Sequence, residues 1–313
     1  MTPAGPRRPS PDLTIGLPVF NGERHLVQAL DSILGQSYTE FSLVISDNAS
    51  TDATEDICRE YAATDERVSY VRQRENMGGA WNFNTLAERT SSPYFKWISH
   101  DDVTGNGFIE RCMNEMKSAP EDVALCFPQT VFIDDNGEET EFFEDRLDLR
   151  QSTPHARLRE YLDHYRMSNA IFGILRTNLL LKTRLEGSYA SSDRILLAEL
   201  AIAGQFWQIP ERLFLRRIHE GMSHKANPNP EDIANWVDPI HPSPVSMTRT
   251  KLFVEYSRSI ASPRLGLSNM ERVRCMRELL ASGGAHELRV IGGEMRREAK
   301  LGVARKRRRL SSS

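Results

Sequence analysis

Through residues 13–119 the chain alternates short apolar runs with amphipathic stretches. The runs Leu13 to Val19, Phe41 to Ser46, Val68 to Val71 and Tyr94 to Ile98 are each followed by apolar positions at helical spacing, over 23–34, 52–63, 80–89 and 108–116. Parallel strands need a crossover connection, and a helix is the usual one, so four β-then-α units predict a parallel sheet covered by helices. Ligands of such sheets bind in the crevice beyond the carboxyl ends of the strands. The loops expected there are 18–23, 47–52, 75–79 and 100–102.

Beyond Pro120 the pattern changes to antiparallel-type strands over 124–128 and 131–133, with a turn at Asp134-Asp135-Asn136-Gly137. A helix over 155–165, a glycine-interrupted run over 170–176, a helix over 194–203 and strands over 206–209 and 212–218 follow. This half is expected to complete the sheet and build an acceptor pocket. The expected organisation is a disordered leader over 1–12, a main domain over 13–225 divided at 119/120, a proline-rich linker over 226–245 and three amphipathic helical segments over 246–313.

Composition adds limits. At 39% hydrophobic and 27% charged the 313 residues read as an ordinary soluble protein. No apolar stretch approaches the ~18 residues that cross a bilayer, and no signal core follows Arg7 and Arg8, so a cytoplasmic protein is expected. Cys58, Cys112, Cys126 and Cys275 are too scattered for a zinc site or a disulfide framework. The net charge of -3 hides an asymmetry: from Ser246 onward 16 Lys and Arg stand against 6 Asp and Glu, +10, leaving -13 on the first 245 residues. The basic tail, with the run Arg305-Lys306-Arg307-Arg308-Arg309, suits an anionic partner, and attachment to the inner face of an anionic membrane is expected. Nucleic acid is not, since the rest of the chain is acidic and carries no recognisable nucleic-acid module.

The chemistry concentrates at Asp101 and Asp102, which follow the run Tyr94-Phe95-Lys96-Trp97-Ile98. Two adjacent carboxylates at a sheet end repel each other and lose solvation, an arrangement explained by a bound divalent cation and a phosphorylated ligand. The alternative is a pair of caps for the helix that follows.

Five motifs in order resemble the family 2 glycosyltransferases of the A-type fold. They are Pro18-Val19-Phe20-Asn21-Gly22-Glu23, Ser46-Asp47-Asn48-Ala49-Ser50-Thr51-Asp52, Glu75-Asn76-Met77-Gly78-Gly79-Ala80-Trp81-Asn82, Lys96 through Asp102, and Asp193 with Arg216-Arg217-Ile218-His219. The resemblance covers roughly 13–225. It implies an α/β fold with a mainly parallel sheet flanked by helices, a nucleotide-binding half over 13–119, an acceptor half over 120–225 and a basic helical C-terminal extension. It also implies an inverting, metal-dependent transfer of one sugar from a nucleotide-diphosphate donor to a hydroxyl acceptor, in cell-surface polysaccharide or glycoconjugate synthesis. The acceptor would be a saccharide or a lipid-linked saccharide.

Carried over by position, Pro18, Phe20 and Glu23 line the nucleotide site, and Asn76 and Asn82 contact the donor. Asp47 accepts a hydrogen bond from the base. An ionised carboxylate only accepts, so it suits the N3-H of uracil or thymine and points to UDP or dTDP. Asp102 is the expected direct metal ligand, with Asp101 on the ribose or a metal-bound water. Ser99 stands where many members carry the first carboxylate. His219 completes the coordination, and an imidazole suits Mn²⁺ better than Mg²⁺. Asp193 is the expected general base, with Arg194 holding it ionised. Ser50, Thr51 and Asp52 read as caps of the following helix, and Trp81 and Trp97 as packing. A nucleotidyltransferase and a catalytically silent nucleotide-sugar-binding protein are the alternatives. The first would want a glycine- and arginine-rich loop after strand one, where this chain has Phe20-Asn21-Gly22-Glu23, and the intact acid set argues against the second.

Overall fold

A computed structural model describes residues 11–221, 230–240 and 248–282. Its first half follows the expected alternation: β1 (Leu13–Val19), α1 (Leu26–Leu34), β2 (Phe41–Asp47), α2 (Thr54–Thr64), β3 (Val68–Arg72), α3 (Gly79–Glu88), β4 (Tyr94–Trp97), a two-residue β5 (Val103–Thr104) and α4 (Phe108–Ser118). β1 pairs in parallel with β2 and β4, and β2 with β3. All seven residues of β1 are buried. Leu13, Ile15, Leu17 and Val19 enter a core shared with α1, α2 and α4. Gly16 faces the other side, where an added Cβ would lie 2.9 Å from the Phe95 ring and 3.0 Å from Leu86 of α3. Glycine is what lets α3 lie against β1.

The second half contains β6 (Val123–Ile133), β7 (Glu139–Phe143), α5 (Pro154–His164), a 3₁₀ turn (Asn169–Phe172), β8 (Ile174–Arg176), α6 (Thr177–Leu180), α7 (Ser192–Ala203) and β9 (Gln205–Arg217). The strand order is β3-β2-β1-β4-β8-β6-β9-β5, with β7 beside β6. β8 runs antiparallel to β4 and β6, and β6 runs parallel to β9. The two strand pairs expected from sequence are single long strands. Their register slips around Pro128 and between Gln208 and Arg212, so irregular pairing carries each strand past a proline that cannot donate to the ladder.

The region read as a linker contains a helix, α8 (Pro230–Val237), which packs against α3. α9 (Thr248–Ala261) and the helical residues 269–282 (α10) supply Tyr256, Ile260, Cys275 and Leu279 to the core that surrounds α7. This part of the extension is therefore continuous with the acceptor half. Arg184 joins them: its guanidinium bonds Glu199 of α7 at 2.5 Å and Glu255 of α9 at 2.8 Å. The four cysteines are buried and free. Residues 1–10, the third helical segment and the basic run 305–309 lie outside the described residues. Among the described residues no helix is long and apolar enough to cross a membrane.

Candidate active site

At the carboxyl ends of β1, β2 and β4 a cleft of about 700 Å³ opens between the two halves. Pro18, Phe20, Asn76, Asn82, Asp101, Asp102, Asp193 and His219 all line it. Glu23 and Asp47 are not among its lining residues. Glu23 is exposed, and its carboxylate accepts the Ala53 N–H at 2.9 Å, ahead of α2. Asp47 is 0% exposed: one oxygen accepts the Ser50 N–H at 2.8 Å, and the other accepts from the Tyr70 hydroxyl at 2.7 Å and Arg72 at 2.9 Å.

The loops themselves are cross-stitched. Asn21 takes a positive φ of 51°; its N–H donates to the Ser50 hydroxyl at 2.9 Å and its side-chain oxygen accepts the Thr51 N–H at 2.8 Å. Of the three expected caps only Asp52 reaches the helix entrance, accepting the Thr54 N–H at 3.1 Å. Asn82 is buried and clasps Ser46, accepting from its hydroxyl at 2.6 Å and donating to its carbonyl at 2.9 Å. Asn48, which carried no expectation, is as important: it bonds Asn76 at 2.8 Å, the Gly78 carbonyl at 3.2 Å and the Met77 N–H at 2.9 Å. An asparagine makes this join because it offers both a donor and an acceptor.

Asp101 and Asp102 point to different partners. Asp101 faces His219, whose Nε2 lies 2.9 Å from Oδ2, and accepts from the Ser99 hydroxyl. Burial raises its pKa, but the His219 hydrogen bond, the nearby His100 and the Ser99 bond outweigh that and hold it below the usual carboxylate range. Asp102 is 4% exposed, and its Oδ1 accepts the backbone N–H of Arg217 at 2.9 Å. Burial first, and then the Asp101 charge, push it up to about 7. The expectation that Asp102 meets the metal with His219 is thus not matched by the geometry: Asp101 is the carboxylate that shares a face with the imidazole. Asp101 lies in a bend between β4 and β5, whereas Asp102 immediately precedes β5, whose pairing with β9 brings the Arg217 N–H to it.

Arg217 is the residue sequence reasoning missed. At 1% exposure its guanidinium donates to the carbonyls of Asp101 at 2.8 Å, Asp134 at 2.7 Å and Asp135 at 3.1 Å, and to Gln28 at 2.5 Å. One fork of donors thereby ties the Asp101 turn, the β6–β7 turn and α1 together. Its place beside Arg216 and His219 was the available signal.

The donor set fits a divalent cation. Asp101 and His219 offer an oxygen and a nitrogen on the cleft wall, with side chains 15% and 8% exposed. Behind them His25, Asp135 and His219 bring ligand-type atoms within 4.8 Å of one another, and His25 Nε2 and Asp135 Oδ1 are buried without a hydrogen bond. They lie 3.1 Å apart, close enough for an ion pair but not aligned for a hydrogen bond. Arg24 also pairs with Asp135.

On the acceptor side Asp193 begins α7, and its carboxylate accepts its neighbour's N–H, that of Arg194, at 2.8 Å. The Arg194 guanidinium does not turn back to it. That group donates to the Tyr256 hydroxyl at 2.8 Å and stacks over Tyr165. Asp193 thus stands in the first turn of α7, at the helix entrance. Trp97 is fully buried, edge-on to Phe95 at 4.9 Å, as packing requires.

The cleft of this mixed sheet thus carries a carboxylate–imidazole pair, Asp101 and His219, together with Asp193 from the second half. Residues 14–177 match Glycosyl transferase family 2, and the chain belongs to that family. Glycosyltransferase GlyA of Streptococcus pneumoniae is 32% identical over 113 residues, 36% of this chain and 16% of GlyA. The putative teichuronic acid biosynthesis glycosyltransferase TuaG of Bacillus subtilis is 33% identical over 106 residues, 34% of this chain and 42% of TuaG. The matches thus span well under half of these relatives' length. Two solved structures share the fold: S. aureus TarS 1–349 in complex with UDP-GlcNAc (TM-score 0.60, 16% identity, 87% of this chain and 72% of that one), and the mannosyltransferase PcManGT from Pyrobaculum calidifontis in complex with GDP-Man and Mn²⁺ (TM-score 0.53, 16% identity, 94% and 81%). Family membership leaves the nucleotidyltransferase alternative without support.

Proposed function

We propose that this chain is an inverting glycosyltransferase that moves one sugar from a nucleotide diphosphate to a hydroxyl acceptor in the synthesis of a surface polysaccharide or glycoconjugate. The observation that carries the reading is the placement of the Asp101–His219 pair and Asp193 on one cleft. UDP or dTDP is the proposed carrier, the base N3-H replacing a present hydrogen bond at Asp47. The relatives named for polysaccharide synthesis and the neighbours holding UDP-GlcNAc and GDP-Man with Mn²⁺ support the class of donor.

Asp101 and His219 would hold the cation, which when bound neutralises charge gathering on the departing diphosphate. A set of one carboxylate and one imidazole suits Mn²⁺ better than Mg²⁺. Asp102 holds the Arg217 backbone, and Arg217 in turn holds the Asp101 turn, so the pair keeps its geometry without spending either carboxylate on the same task. Asp193 takes the proton from the acceptor hydroxyl as that oxygen attacks the anomeric carbon. A single base opposite the leaving group implies one displacement and inversion.

Asp193→Asn tests the reading. It should keep UDP affinity in calorimetry with Mn²⁺ and lose ~10²- to 10⁴-fold in transfer, the usual contribution of a general base. Near-normal turnover in the variant would remove Asp193 from the chemistry, and a wild type that binds UDP but transfers no sugar would leave a binding protein as the better account.

A further inference from the structure

Glu186 lines the same cleft as Asp193, and the mechanism above gives it no task. It sits in the 181–191 loop between α6 and α7, and that loop is held under strain. Leu185 and Ser191, on either side of it, have φ of 59° and 63°, two of the four non-glycine positive values among the described residues. For a bulky residue such as Leu185 this is an outlier that persists only where the surroundings enforce it. Asn84 of α3 enforces it here, accepting the Glu186 N–H at 2.9 Å and donating to its carbonyl at 2.8 Å. Arg184 adds a second anchor through Glu199. The outcome is a Glu186 carboxyl that accepts the Ser192 hydroxyl, one residue before Asp193, on the cleft that both acids line.

We propose that Glu186 is a second catalytic group on the acceptor side: as a carboxylic acid it donates a hydrogen bond to one hydroxyl of a neutral saccharide, and so presents a neighbouring hydroxyl to Asp193. The inference rests on the transferase reading. The attacking O–H gives its proton to the Asp193 carboxylate, and its oxygen bonds to the anomeric carbon. The bond from that carbon to the diphosphate oxygen breaks, its electron pair leaving with the diphosphate. Glu186 keeps its own proton throughout. Two acids on the same cleft disfavour an anionic group at this subsite, so the sugar unit held there is uncharged.

The protonation state follows from the surroundings. Burial first, and then the Asp193 charge, push Glu186 up to about 8 against the lowering influence of Ser192. Asp193 of α7 and Tyr189 of its own loop are the titratable groups that bear on it. Arg184 is turned to Glu199 and Glu255, and α3 contributes the neutral Asn84.

The test measures nucleotide diphosphate release from UDP-, dTDP- and GDP-sugars with Mn²⁺, with methyl glycosides or water as acceptor, across about pH 6 to 9.5. Wild type, Glu186→Gln, Glu186→Ala and Asp193→Asn are compared, and UDP affinity is taken by calorimetry for each. Wild-type kcat/KM for the acceptor should fall above about pH 8, as Glu186 ionises. Glu186→Gln should lower the neutral rate several-fold and flatten that alkaline fall, since an amide donates without titrating. Glu186→Ala should lose about tenfold or more at every pH, and UDP affinity should hold in both. An alkaline fall unchanged in Glu186→Gln, turnover of Glu186→Ala close to wild type, or a parallel loss of UDP affinity would overturn the role of Glu186. If Asp193→Asn retains turnover, Asp193 is not the base and this inference fails while the transferase reading stands; if no donor is turned over by the wild type, the transferase reading fails and this inference with it.

Discussion

Replacing Asp101 by Asn removes the carboxylate that faces His219 at 2.9 Å, whereas the same change at Asp102 keeps an oxygen able to accept the Arg217 N–H. The two variants should therefore differ in kind. In Asp101→Asn, UDP should bind equally with and without Mn²⁺. In Asp102→Asn, binding should remain Mn²⁺-dependent and close to wild type, because the amide oxygen keeps the Arg217 hydrogen bond. Calorimetry with both variants checks this, and the reverse ranking would restore Asp102 as the direct ligand. The sequence showed that two acids stand together; it could not show which faces the cleft, because that depends on where β9 places Arg217 and His219. For Asp47 the hydrogen bonds from Tyr70 and Arg72 arise from β3, a strand whose register against β2 no local motif reveals.

At the scale of elements the β-then-α alternation was legible because each apolar run and each helical stretch carries its own period. The α8 helix was not. Its eight residues lie in a proline-rich stretch, and it is held by what it meets: Trp236 lies over Gly79, and the Val237 carbonyl lies 2.4 Å from where a Cβ on Gly78 would be. Gly78 also has φ of 90°, which disfavours any L side chain. Gly78→Ala should cost ~1–3 kcal/mol through backbone strain and displace α8 from α3. Limited chymotrypsin digestion should then cut after Trp236 faster than in wild type. Equal cleavage rates would show that α8 does not depend on the close approach at Gly78.

For the whole molecule, buried acids set the pH dependence of stability. Burial holds Asp102, Glu186 and Asp145 up to about 7, about 8 and about 6. The unfolded chain gives up these protons by about pH 4.5. Between about pH 5 and 6 the folded state binds more protons, and stability falls as pH rises. The depressed acids, among them Asp52, Asp65, Glu255 and Glu271, make their gain below that window. His25, lowered by burial and by Arg217, opposes the fall as pH nears 6.5, and Lys96, lowered to about 7 by burial, opposes it only at higher pH. The urea midpoint without metal should thus be lower at pH 6 than at pH 5, and Asp102→Asn should flatten the difference. A midpoint that rises across this interval would show that these carboxyls are not held protonated by the fold.

The sequence by itself determined the sheet, the order of its loops and the acids those loops carry, because hydrophobic period and strand-end chemistry are local properties of the chain. It also determined the family, since its motifs stand in order. The tertiary structure decided which acid meets His219, that Arg217 joins two turns to α1, and that Glu186 shares a cleft with Asp193. The first two are contacts between segments far apart in sequence, and the third depends on Asn84 of α3 holding the Glu186 backbone; all are settled by packing and by the need of buried polar groups for partners, and none leaves a periodic trace in the chain.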